Sequence, residues 1–122
     1  MTVPWTRINI ADGSANGFSF TREASGKVQF VYRPITRAES SSGMYDGGPP
    51  RKEELAADDA RLTELFALLQ RLEADKNNHS PDRNKGTGAI NWEAADGKHE
   101  FIVEMHVAGL NELLALLKQF GK

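Results

Sequence analysis

Residues 55–76 read LAADDARLTELFALLQRLEADK. In this stretch Leu55, Leu62, Leu65, Phe66, Leu69 and Leu72 recur at helical spacing, and Asp59, Arg61, Glu64, Arg71 and Glu73 fill the remaining positions. Such a helix carries one broad apolar stripe and must bury it against another layer, which makes the chain a layered fold. Pro49 and Pro50 suit a helix start, and Glu53 and Glu54 would favour the positive end of its dipole. A helix running from Pro50 to Lys76 would be about 40 Å long, whereas Asp58 or Asp59 could cap a shorter one. Asn77, Asn78 and Pro81 supply the stop.

The partner layer is read on both sides of this helix. Trp5 to Ile10, Phe18 to Glu23 and Val28 to Arg33 are short β-prone runs separated by Gly-containing turns, the pattern of a three-stranded meander. After the helix, Ile90 to Ala94 and His99 to Met105 flank Asp96-Gly97 and read as a hairpin, with Ile90, Trp92, Phe101, Val103 and Met105 inward. The chain closes on Leu110, Leu113, Leu114, Leu117 and Phe120, again at helical spacing, with Gly121 placed to end the helix.

The expected fold is therefore α+β: a mostly antiparallel five-stranded sheet in the order βββαββα, with two amphipathic helices on one face. Residues 1–122 are expected to make one domain, since this length supports one core but not two. If both helices share a face, the other is left open. Alternation then places Ile8, Ile10, Val31 and Ile102 on it, beside Thr6, Ser19, Thr21, Gln29, Arg33, Asn91, Glu93, Glu104 and His106. That mixture suits an association surface, so a homodimer or a protein partner is expected.

Fifteen basic against seventeen acidic residues give no global field for nucleic acid or anionic lipid, and no apolar run approaches the roughly 20 residues that cross a bilayer. Neither nucleic acid nor membrane is an expected partner. Met1-Thr2-Val3-Pro4-Trp5 shows no secretion signal, which makes the cytoplasm the expected location. With zero cysteines there is no disulfide framework and no thiolate chemistry.

Two long irregular stretches carry what functional signal there is. Residues 35–51 are rich in Ser and Gly, and loops beyond about 12 to 15 residues are usually working segments or tethers. Ser40, Ser41 and Ser42 could offer hydroxyls and backbone N–H groups to a ligand, with Arg37 adding charge and Tyr45 a flat contact. The second stretch, 77–88, contributes His79 and Arg83. Asp82, Asn84 and Glu93 match part of a calcium-loop spacing but lack its central ligand and glycine, and Lys85-Gly86-Thr87-Gly88 leads into a strand, unlike a phosphate loop. His99 and His106 fall on opposite faces of one strand, so no metal or cofactor is expected.

Two readings follow. In the first, the chain is a non-catalytic binding or assembly module, self-associating through the open sheet face with the two loops at its rim. In the second, it is a small enzyme acting on a polar or anionic metabolite, with Ser41, Tyr45, Asp46, His79 and Arg83 meeting at one end of the sheet. Trp5 and Trp92 are read as core residues rather than ligand platforms.

Overall fold

The computed structural model describes residues 5–39, 43–44, 46–83, 86–105 and 107–121. The meander forms as β1 (Trp5–Ala11), β2 (Gly17–Arg22) and β3 (Val28–Arg33), followed by β4 (Arg51–Leu55), the helix α1 (Ala60–Ala74) and a 3₁₀ turn at Lys76–Asn78. The hairpin β5 (Gly88–Ala94) and β6 (Gly97–Val103) and the helix α2 (Ala108–Leu117) complete the chain. All neighbouring strands are antiparallel, in the spatial order β4-β3-β2-β1-β5-β6. No helix among the described residues is long and apolar enough to cross a membrane.

Register lines up the inner face in rows. Tyr32, Phe18, Ile10 and Ile90 form one row across four strands, and Phe30, Phe20, Ile8 and Trp92 form the next. Cross-strand aromatic pairs fill these rows, with Phe18 and Tyr32 stacked at 4.9 Å and Phe20 and Phe30 tilted against each other at 5.0 Å.

Both helices cover this one face. Helix α1 starts at the β4 edge, where Arg61 bonds Glu53; it passes Trp92 of β5 through Phe66 and ends at the β6 edge, where Glu73 reaches His99. Helix α2 runs back across the sheet. Its Gly109 meets Leu72 of α1, a Cβ at Gly88 would lie 2.6 Å from Leu110, and Glu112 pairs with Arg71 at 3.5 Å. The buried apolar residues of the sheet and both helices form one continuous core.

The structure has one more strand than the five expected, since the described residues form six. Residues 51–55 are a strand and not the first turns of a helix, so α1 starts late, capped by Asp59, whose side chain accepts from the Arg61 N–H. Charged residues are poor intrinsic strand formers, but this strand is paired to β3 along residues 28–32 and drops Leu55 into the core. Lys52 and Glu54 suit an edge that must not recruit another strand.

A second correction concerns β1. Trp5 pairs with Ala94 while Arg7 pairs with Glu93, which makes Thr6 the extra residue of a β-bulge. Simple alternation from an inward Trp5 would turn Ile8 and Ile10 outward. The bulge resets the phase, so Trp5, Ile8 and Ile10 are all buried, at 1%, 0% and 2% exposure.

Two smaller differences lie near the C-terminal half. Strand β6 stops at Val103, leaving Met105 in a turn and 42% exposed, so Met105 is not an inward strand residue and Glu104 is not part of the sheet face. Helix α2 stops at Leu117, and Phe120 reaches the core from the following turn, edge-on to Phe20 at 5.0 Å. Gly121 has a φ of +70° and sits so close to Phe30 and the Arg51 side chain that a Cβ would collide with both.

Candidate functional site

Strand directions bring both long loops to the same end of the sheet. Arg33 leads into the first loop, Gly88 ends the second, and the β1–β2 turn at residues 12–16 lies between them. Asp12 organises that turn: its Oδ1 accepts from the N–H groups of Ser14 and Asn16, and its Oδ2 from the Asn16 side-chain amide, all at 2.9 Å. The buried Asn16 then accepts the Ile35 N–H at 2.8 Å and holds the base of the first loop. Gly47 closes that base, donating to the Ile35 carbonyl and accepting the Tyr32 hydroxyl at 2.6 Å; a Cβ there would overlap the Asn16 amide.

On the other side of the turn, Gly86 donates to the Gly13 carbonyl at 3.0 Å, an approach so close that a Cβ on Gly13 would strike the Gly86 backbone. Arg83 spans the same gap. Its guanidinium bonds the Asp12 carbonyl and the Thr87 hydroxyl, both at 2.7 Å, and the Thr87 carbonyl.

Of the residues expected to form a site, Ser40, Ser41, Ser42 and Tyr45 lie outside the described residues. Arg37 is exposed in a short turn at residues 36–39, and Asp46 accepts the Gly48 N–H within its own loop. His79 points elsewhere: its Nε2 lies 2.8 Å from the Leu72 carbonyl at the end of α1, and its ring stacks on Phe101. Asp46 and His79 are thus bonded to different elements, and Arg83 to the β1–β2 turn.

The remaining described histidine is equally committed. His99 Nδ1 lies 2.6 Å from Glu73 and its Nε2 3.0 Å from Asp96, while its ring stacks 4.8 Å from Trp92. Bonding to Asp96 and then to Glu73 raises its pKa above the ordinary imidazole value and favours the doubly donating form, in which the ring clamps the end of α1 to the hairpin. Trp92 and Trp5 are core residues, as expected. A similar clamp secures the other end of α1. Arg61 bonds Asp59, Glu53 and the Gln119 carbonyl and lies over the Phe120 ring, and these bonds hold the Glu53 and Asp59 carboxyls below their ordinary values. Among the described residues no group of three His, Asp or Glu side chains is arranged to hold a metal ion.

A cavity among the described residues lies on the open face. Register places Arg33, Gly17, Ala11 and Ala89 in the row nearest the loops, then Val31, Ser19, Asn9 and Asn91, then Gln29, Thr21, Arg7 and Glu93. Small side chains at Gly17, Ala11 and Ala89 leave a trough of about 290 Å³ between the larger residues around it. Asn9 donates to Asn91 across its floor at 3.2 Å, which leaves the Asn9 oxygen and the Asn91 NH₂ available.

Sequence reading put Ser19, Val31, Arg33 and Asn91 on this face but missed Arg7 and Asn9, whose orientation depends on the bulge at Thr6. The detectable signal was the cluster of small residues at the loop-side ends of three adjacent strands. Compared with known proteins, the chain matches no family model, and no curated protein sequence is similar to it beyond chance.

Proposed function

We propose that this chain is a non-catalytic binding module whose recognition surface is the open sheet face beside the two loops. The observation that carries this reading is the trough itself. It lies on the one sheet face that neither helix covers, at the end where the turn at residues 12–16 ties both loop bases to the frame. A sheet with both loop bases bonded at its rim can hold a small ligand there at a lower entropic cost of binding.

The enzymatic alternative has less support. His79 and Asp46 are bonded to separate elements, and both ring nitrogens of His99 are occupied by carboxylates. Self-association through the same face also loses weight once Ile8 and Ile10 turn inward, because the apolar side chains left on that face are Val31, Ile102 and small alanines.

Backbone amide shifts followed against a library of neutral, cationic and anionic small molecules test the proposal. At least one class should move the amides of Ser19, Ala89 and Asn91 together. A library in which no class moves any open-face amide would end this reading. Light scattering over a dilution series should give one chain per particle at high micromolar concentration; a dimer whose dissociation follows substitution of Val31 would restore the association reading.

A further inference from the structure

The trough carries a charge signature that narrows its ligand, an argument that rests on the binding reading above. Arg7 from β1 and Arg33 from β3 line it at diagonally opposite corners, and no carboxylate lines it. Elsewhere near the open face Lys27 pairs with Glu54 and Lys98 with Glu100, each at 3.2 Å, while Lys52 stands beside Val31 and adds to the positive charge. Among the described residues Arg7 and Arg33 form no ion pair, although Glu93 stands across the strand from Arg7 and Glu39 lies near enough to Arg33 to feel its charge. On a chain of net charge −2, the trough is therefore a local positive site.

Geometry sets the shape of the ligand. Arg33 lies two strands from Arg7 and four residues along, so their Cα atoms are about 16 Å apart by strand spacing and rise. Each guanidinium presents a planar fork of donors suited to a carboxylate or a phosphate. The Ser19 hydroxyl on β2 lies between them, the Asn9 oxygen and the Asn91 NH₂ flank it on the β1–β5 side, and Gly17, Ala11 and Ala89 keep the loop-side row low. We infer that the trough binds a small elongated molecule with an anionic group at each end, one held by Arg7 and the other by Arg33.

The test titrates the full chain with the straight-chain dicarboxylates from succinate to suberate, with acetate and neutral succinamide as controls, reading amide shifts at low salt. One dicarboxylate should bind saturably at Ser19, Ala89 and Asn91, at least tenfold more tightly than acetate or succinamide. Arg7→Gln and Arg33→Gln, both exposed changes that leave the spectrum of the fold intact, should each weaken it about ten- to hundredfold, the usual worth of a charged hydrogen bond. Dicarboxylates no better than acetate, or binding indifferent to either substitution, would overturn the inference. In that event, neutral or cationic compounds that still move the open-face amides would leave the binding reading standing.

Discussion

Phe120 is the last buried residue among those described and joins the core from outside any helix, so truncating it tests how the C-terminal turn is held. The ring is fully buried, lies 5.0 Å from Phe20 and 5.4 Å from Phe30, and carries the Arg61 guanidinium 4.7 Å above it. Phe120→Ala removes the ring's transfer free energy and leaves a cavity between rigid aromatic neighbours, a combination that costs about 3–5 kcal/mol. That is a large part of the 5–15 kcal/mol by which such domains are typically stable. With a urea slope of about 2 kcal/mol per molar, the unfolding midpoint should fall by roughly 1.5–2.5 M at unchanged slope. A fall below about 0.5 M would mean that the turn after α2 is not docked against Phe20 and Phe30.

The β1 bulge makes a paired prediction: Ile8→Ala should cost about 2–5 kcal/mol, whereas Ile102→Ala on the open face should cost less than about 1 kcal/mol, and equal costs would contradict the phase of β1. Asn16→Ala leaves the Ile35 N–H without its acceptor and should cost about 1–3 kcal/mol with faster hydrogen exchange at Ile35; unchanged exchange there would show that Asn16 does not hold the loop base. The His99 pKa is raised in the folded state, so its contribution is fully present below the unfolded value and is lost as pH rises through the folded one. The melting-temperature gap between the native chain and His99→Gln should therefore be widest near pH 5.5 and shrink at alkaline pH, and a constant gap would refute the clamp.

The sequence was most informative where periodicity was strong. The stripe from Leu62 to Leu72 marked α1, and the alternation at Val28, Phe30 and Tyr32 marked β3 and its inward face. It misled where tertiary context outweighed local preference. Arg51 to Leu55 has the charge pattern of a helix start, yet Leu55 has a core position to fill and β3 has a free edge to satisfy, and together they draw the segment into the sheet. One extra residue at Thr6 was enough to exchange the faces of Ile8, Ile10, Arg7 and Asn9. The candidate site depends on that exchange, because two of its five polar lining residues, Arg7 and Asn9, come from β1.

The same hydroxyl- and glycine-rich composition that drew attention to the first loop gave no hint of how its base is fastened. Asn16, nineteen residues before Ile35, accepts its N–H, and such long-range bonds leave no local trace in a sequence. Histidine was misleading for a related reason: His79 and His99 carry the residue type of catalysis, but one serves the last turn of α1 and the other bridges two carboxylates.

Relaxation enhancement of methyl signals by a soluble, neutral gadolinium chelate measures directly which sheet face meets solvent. Val31, Ile102, Ala11 and Ala89 should relax strongly while Ile8, Ile10 and Ile90 stay protected. Protection of Val31 and Ala89 equal to that of Ile8 would mean that the reverse of the sheet is covered, and the proposed recognition surface would not exist.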